Sequence, residues 1–297
     1  MLKSEASVAA AESPDIDRLM SRIDELEQVV ADYRSTVDKL KEHHRKDARG
    51  VGDFACTICR EEKALAPFEQ RLDPHGVAYD LWLCLNCHAI LNATHLRMIY
   101  SGAEFLAEQS GTSDEFYAVD DDYLDTVPET IDNCGFIDFL FNMYPEQSNK
   151  VLIDFGAGRG ILSGAAAKRF DKVYAAELSL NVLKKVHAAM PGRDRIIPTD
   201  DYLGIPDRFD SIASMHVLEH LPNMREILDN LVSQLNPNGT LFFQVPMLRR
   251  DYLVNVHYTF FSETSARWLC RDLGLETIGV WFDLNLDFLT CIARKPA

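Results

Sequence analysis

The chain has 297 residues, 47% of them hydrophobic, which is material for one large core and smaller appendages. Its formal net charge of -16 argues against a surface of Lys and Arg built to hold a polyphosphate backbone, and so against nucleic acid as a partner. Apolar stretches are interrupted by Asp or Asn well short of the roughly 20 residues that span a bilayer, and the start, MLKSEASVAAAESP, has no apolar signal core, so no membrane span and a cytoplasmic location are expected.

Residues 1–13 read as a disordered tail. Ser13-Pro14 then gives a helix N-cap and first helical position. Ile16, Leu19, Ile23, Leu26, Val30, Tyr33, Val37 and Leu40 follow at alternating steps of three and four, which predicts a coiled-coil helix over 14–46. Branched residues at every first position, with mostly Leu at the other, favour a parallel two-stranded coil and hence a homodimer. The alternative is an amphipathic helix folded back on its own domain. A basic exit, KLKEHHRKDARG, places a boundary near 46–52.

Residues 51–100 hold Cys56-x-x-Cys59 and Cys84-x-x-Cys87, 24 residues apart, in the pattern of a structural zinc ribbon. A redox pair and an iron centre compete with that reading, and His75 or His88 offers a substitute ligand. The odd total of seven cysteines suits a reducing compartment better than a disulfide framework, and Cys134, Cys270 and Cys291 sit in apolar contexts expected to be core. Residues 101–149 carry a dozen acids and no Lys or Arg. Phe116, Tyr117 and Tyr123 interrupt this stretch, so it reads as a partly packed lid rather than a purely solvated face, and IDNCGFIDFLFNMY reads as one helix.

From 150 to 297 strand and helix signals alternate. Strands are expected at about 151–154, 172–176, 194–198, 209–214, 239–245, 275–282 and 287–293, which predicts an α/β fold with a parallel sheet covered on both faces. The last two, joined by DLNL, read as an antiparallel hairpin at one edge.

The first of these strands runs into Asp154-Phe-Gly156-Ala-Gly158-Arg-Gly160. A dinucleotide fingerprint would place Gly or Ala at 161, where this chain has Ile, and a pyrophosphate disfavours an acid at the strand end. A carboxylate there matches a cofactor with positive groups, and S-adenosylmethionine carries both an ammonium and a sulfonium. Glu177 ends the second strand seventeen residues after Gly160, where an acid accepts from ribose hydroxyls, and Asp200 or Asp201 ends the third.

Together with FDSIASMHVLEHLPN, LNPNGTLFFQVP and HYTFFSETSARWLCRDLGLE, these motifs resemble, in order, those of class I SAM-dependent methyltransferases, small-molecule and glycan branch, over about residues 112–297. The resemblance implies a Rossmann-like seven-stranded sheet with an antiparallel edge hairpin, here preceded by a zinc-ribbon module and a coiled-coil helix. It implies that Asp154, Gly156, Gly158 and Gly160 hold the amino acid end of the donor, Glu177 the ribose and Asp200 the adenine amine. Met215 or His216 would lie beside the sulfonium.

A hydroxyl acceptor needs a base. His257 follows the fifth strand at the ligand-binding edge, so it is read as a proton acceptor or as a histidine that bonds its own loop. Tyr258, Tyr252 and Arg249 are weaker candidates. His216-Val-Leu-Glu219-His220 is also an H-x-x-E-H stretch, which can bind zinc if it lies on a helix. Ubiquinone-type O-methyltransferases are similar there and place metal-binding acids in the corresponding E-x-L-E-H stretch, but this chain has His216 where that motif has Glu, and an ordinary helix start is the competing reading. N-terminal zinc modules also precede sugar C-methyltransferases, yet this chain keeps only the final His of their Y-H-E-H-x-x-Y-F-S pattern. The expected function is methyl transfer from S-adenosylmethionine to a hydroxyl of a sugar, glycan or other small metabolite, in polysaccharide or natural-product biosynthesis. A sugar C-methyltransferase is an alternative, and so is an interaction protein in which coiled coil and zinc ribbon recruit a partner to a regulatory methyltransferase fold.

Overall fold

Two tight cysteine turns frame a short hairpin. Strand β1 (Leu65–Leu72) pairs antiparallel with β2 (Ala78–Cys84), and β3 (Ile90–Asn92) leads directly into helix α1 (Ala93–Tyr100). This is a computed structural model that describes residues 54–100, 118–283 and 285–297. The tail over 1–13, the coiled-coil helix expected over 14–46, and residues 101–117 of the acidic stretch, Phe116 and Tyr117 included, lie outside the described residues.

Helices α2 (Asp121–Asp132) and α3 (Phe136–Met143) precede the main sheet. The sequence suggested one helix over IDNCGFIDFLFNMY, but the chain breaks it. Asn133 caps α2 with its N–H on the carbonyls of Glu129 and Ile131, and Gly135, a poor helix residue, stands before α3.

The succession is then β4 (Val151–Phe155), α4 (Ile161–Ala166), β5 (Lys172–Ala176), α5 (Leu180–His187), β6 (Ile196–Thr199), β7 (Phe209–Met215), α6 (Met224–Ser233) and β8 (Leu235–Pro246). It closes with β9 (Thr259–Phe260), α7 (Glu263–Asp272), β10 (Glu276–Asp283) and β11 (Phe288–Arg294). Seven strands form one sheet in the order β10-β11-β8-β7-β4-β5-β6, parallel except for β11 and β10, as the resemblance implies. The order reverses beside β4, so the ends of β4, β5 and β7 open onto a crevice of the kind that binds ligands in such sheets.

Both faces of the sheet are covered. Val127, Ile131, Leu140, Leu152, Leu183 and Phe242 build one layer, with α4 close enough to α2 that a Cβ on Gly164 would strike Ile131. Each fully buried side chain of this size contributes about 1.5–3 kcal/mol. The opposite layer includes Ile153, Phe209, Leu231 and Leu269, and it also includes Phe54, Ile58, Leu91 and Leu96 from the cysteine segment. That segment is therefore not a bead on a string. β3 pairs antiparallel with β9, Ile90 opposite Phe260 and Leu91 opposite Thr259, in a second sheet ordered β1-β2-β3-β9. Hydroxyls reinforce the seam, Thr57 with Thr259 at 2.6 Å and Ser262 donating to the carbonyl of His88 at 3.1 Å.

Candidate functional site

The loop after β4 turns through three left-handed glycines, Gly156 at φ 77°, Gly158 at 53° and Gly160 at 78°. A Cβ on Gly156 would strike Val217, one on Gly160 would come to 2.6 Å from the flexible end of Met190, and the left-handed backbone at both positions favours glycine. The amides of Gly156 and Ala157 donate to the carbonyl of Ala176, which ties the loop to the end of β5. The next residue, Glu177, accepts from Gly158 N at 2.7 Å and Ser179 N at 3.1 Å, so its carboxylate is held at the crevice.

The other acid sits differently. Asp154 is 2% exposed and accepts from Ser163 Oγ at 2.6 Å, beneath the loop and bracing the first turn of α4. Burial, with Glu177 adding to it, pushes its carboxyl up to about 7. After β6, Asp201 accepts from Gly204 N and is occupied in its own turn, whereas Asp200 is exposed at the strand end. Leu178 and Leu203, 75% and 58% exposed, flank this rim and were not singled out from the sequence. For Leu178 the available signal was an apolar residue placed directly after a strand-end acid. Above the loop, the guanidinium of Arg159 lies 4.7 Å from the centre of the Tyr123 ring, and Lys185 donates to the carbonyl of Val119, so residues 118–123 are pinned against it.

The HVLEH stretch is not a helix face. His216 leaves β7 at φ 57°, and only Leu218–His220 form a single 3-10 turn, yet both rings approach Glu219 Oε1, His216 Nδ1 at 3.9 Å and His220 Nε2 at 3.7 Å. The His216 ring packs edge-on to Phe288 and bonds Gln244 Oε1 through Nε2 at 3.0 Å, while the Gln244 amide donates to Thr290. Met215 sits partly buried just before it.

The residue that joins His220 is His257. Their ring centres are 4.7 Å apart, and Glu219, 1% exposed, completes a group whose ligand atoms all lie within 4.8 Å of one another. Burial pushes Glu219 up to about 8 and both His220 and His257 down to about 4. His257 does bond its own loop, donating from Nδ1 to the carbonyl of Tyr252 at 2.7 Å, which leaves Nε2 for chemistry. Tyr258 is 1% exposed, and its main chain is tied to Glu219 and Asn92, so it packs in the seam between the sheets instead of facing the crevice. Tyr252 donates to the carbonyl of Leu286, and Arg249 pairs with Asp287 at 2.7 Å.

The four cysteines converge as their spacing suggests. Cys56 and Cys87 sulfurs are 3.5 Å apart, Cys59 and Cys84 sulfurs 3.4 Å, and all four lie within 4.8 Å of one another. Zinc–sulfur bonds of about 2.3 Å in a tetrahedron place sulfurs about 3.8 Å apart, so the group can hold such an ion. The two turns repeat one design. Arg60 N donates to Cys56 O and Cys56 N to Glu61 O, as His88 N does to Cys84 O and Cys84 N to Ala89 O. Arg60 and His88 both take left-handed backbone to close them. Cys270 and Cys291 are buried in the core with sulfurs 3.7 Å apart, and Cys134 is partly buried at the break between α2 and α3.

Among known proteins, residues 131–280 match the family described as Methyltransferase domain. Two curated relatives are the ubiquinone biosynthesis O-methyltransferase of Xylella fastidiosa, 35% identical over 36% of this chain, and its mitochondrial counterpart from Schizosaccharomyces pombe, 34% identical over 37%. The alignments span 45% and 43% of those relatives' own lengths. Among solved structures, the N-methyltransferase NodS of Bradyrhizobium japonicum, in complex with S-adenosyl-l-homocysteine, is 19% identical with a TM-score of 0.48, covering 64% of this chain and all of that one. An S-adenosylmethionine dependent methyltransferase from Mesorhizobium loti is 18% identical with a TM-score of 0.46, covering 56% of this chain and all of that one. With the match extending over half of its residues, the chain belongs to the Methyltransferase domain family.

Proposed function

We propose that this protein transfers a methyl group from S-adenosylmethionine to a hydroxyl of a small molecule such as a sugar, glycan or other metabolite. The observation that carries the reading is Glu177, fixed at the end of β5 by Gly158 and Ser179 with lone pairs still open to ribose hydroxyls. The residues fit the donor in other respects. A Cβ at Gly156 would strike Val217, Leu178 and Leu203 offer apolar faces to a base, Asp200 offers an acceptor to its amine, and the Asp154 carboxyl beneath the loop, when ionised, favours a cation over a diphosphate. The similarity to ubiquinone biosynthesis O-methyltransferases supports an oxygen acceptor.

The donor supplies a sulfonium leaving group, so what the protein must do is align an acceptor and dispose of its proton. The Gly158–Glu177 bond orders the loop, residues 118–123 cover it, and Met215 and His216 line the end of β7 next to it. His257, its basicity lowered by burial and its Nε2 left open, offers a weak proton acceptor at the same edge. A structural zinc in the four-cysteine group, which we place in the same proposal, would hold β3 against β9. The heptad seam at 16–40 supports pairing of two chains. Among the described residues no helix is long and apolar enough to cross a membrane.

The test is calorimetry with S-adenosylmethionine and S-adenosylhomocysteine on the full chain. Both should bind, and a Glu177→Ala variant that folds normally should not. Absence of binding by the intact protein would remove the reading and leave the interaction-protein alternative.

A further inference from the structure

The glycine loop spends most of its own N–H groups on the protein. The amides of Gly156 and Ala157 donate to the carbonyl of Ala176, that of Gly158 to Glu177, and that of Gly160 to the carbonyl of Ala157 at 2.7 Å. Helix α4 behind the loop spans only Ile161–Ala166, so its few aligned peptides add little positive potential. Glu177 and Asp200 repel anions, and residues 101–149, which lead up to β4, contain no Lys or Arg. A negative group at this end of the crevice must therefore be met by a side chain of the loop itself.

Arg159 is the one cation that the loop carries. It stands between Gly158 and Gly160, both left-handed, so the backbone turns sharply on either side of it. Its guanidinium lies 4.7 Å from the centre of the Tyr123 ring and reaches the carbonyl of Ala118 at 3.5 Å. Tyr123 is fixed in turn, because its N–H donates at 2.8 Å to Asp120, the N-cap of α2. Stacking on a ring sets the plane of a guanidinium and uses none of its five N–H donors.

S-adenosylmethionine has an α-carboxylate beside its ammonium. The site described above provides for the ribose, the base and the positive groups, and leaves that carboxylate without a partner. We propose that Arg159 is the counter-charge for the donor's α-carboxylate, with Tyr123 as the positioning residue that holds the guanidinium in place. The inference rests on the donor reading given under the proposed function. Guanidinium and carboxylate match in planar, two-pronged geometry, and one charge-assisted contact of this kind is worth about 10–100-fold in affinity. The competing role is mechanical. An arginine that only pins residues 118–123 to the loop would strengthen every adenosyl ligand alike.

The two roles separate when the carboxylate is removed from the ligand. Calorimetry on the full chain compares S-adenosylmethionine with decarboxylated S-adenosylmethionine, which keeps the sulfonium and the ammonium. The wild type should prefer the intact donor by about 10–100-fold. Arg159→Ala should abolish that preference and bind the decarboxylated ligand at least as tightly as the wild type does, because a positive charge has left a site that then holds only a cation. Arg159→Met keeps the stem against the ring without the charge and should behave in the same way, and Arg159→Lys should retain part of the preference. Tyr123→Ala should lower it about 2–5-fold, while Tyr123→Phe, which keeps the ring, should preserve it.

A preference that survives in both Arg159→Ala and Arg159→Met would overturn the assignment, and so would equal losses for the two ligands. An unchanged preference in Tyr123→Ala would remove the positioning role. Binding of both ligands by the wild type without discrimination overturns this inference alone. Binding of neither overturns the donor reading and the inference together.

Discussion

The side-chain amide of Asn92, at the end of the cysteine-rich segment, donates to the main-chain carbonyl of His257 at 3.2 Å, across a distance in sequence that spans most of the catalytic fold. The same residue donates its backbone N–H to Tyr258 O at 2.9 Å and accepts from His95 N at the start of α1. One buried asparagine therefore joins the small sheet, a helix end and the loop that carries the histidine group. Asn92→Ala should leave the partly buried carbonyls of Val254 and His257 without this partner, at a cost of about 1 kcal/mol. Acceptor turnover should fall while donor affinity stays within error, because the Gly158–Glu177 contact is made elsewhere. Equal losses of both, measured by calorimetry and steady-state kinetics, would assign Asn92 to general stability instead.

Removal of one cysteine ligand extends that logic. With the zinc proposed for the four-cysteine group in place, Cys59→Ser should release it and unfold residues 54–92, since a structural zinc contributes folding energy directly. Because β3 is the strand on which β9 pairs, hydrogen exchange should then rise at residues 254–260 as well as at the hairpin. Exchange confined to the cysteine segment would show that the seam at β9 stands without it.

The sequence carried the main sheet because its strands are local events. VLIDF and KVYAA are apolar runs of strand length bounded by glycine or polar turns, and each expected strand from 151 onward has a counterpart in the structure. The glycine loop was equally legible, since φ above zero favours glycine and a fixed spacing exposes it. What stayed hidden depends on contacts distant in sequence. Ile90–Asn92 is three residues long, too short for any periodic signal, so its pairing with Thr259–Phe260 could not be read. The grouping of His257 with Glu219 and His220 was missed for the same reason. His216 was misplaced because its left-handed backbone, uncommon for a residue with a side chain, turns the stretch out of a helix before it begins.

Glu177 tests the proposed donor crevice at the acid that ends β5. Loss of its carboxylate removes two charge-assisted bonds within the loop as well as the acceptor for ribose, so Glu177→Gln should weaken donor binding by about 100-fold, the value of one to two such bonds. Far-ultraviolet circular dichroism should be unchanged. Retained affinity would move the ribose site away from the end of β5.

Asp154 makes a prediction in pH. Its carboxyl is raised from 3.8 to about 7 by burial, with Glu177 contributing, so the folded state holds a proton there that the unfolded state has already lost. Stability from that proton is fully present below about pH 4 and is lost as pH rises toward 7, a difference of at most about 4 kcal/mol. The donor-free wild type should therefore lose stability over this window relative to Asp154→Asn, which cannot ionise. Donor binding should move the other way. A cation above the loop favours the ionised carboxylate, so wild-type affinity for S-adenosylmethionine should rise as pH climbs through about 7 and then level, while the Asn variant stays flat and weaker. Parallel affinity profiles in the two proteins, followed by calorimetry at several pH values, would mean that the charge beneath the glycine loop is not felt by the ligand above it.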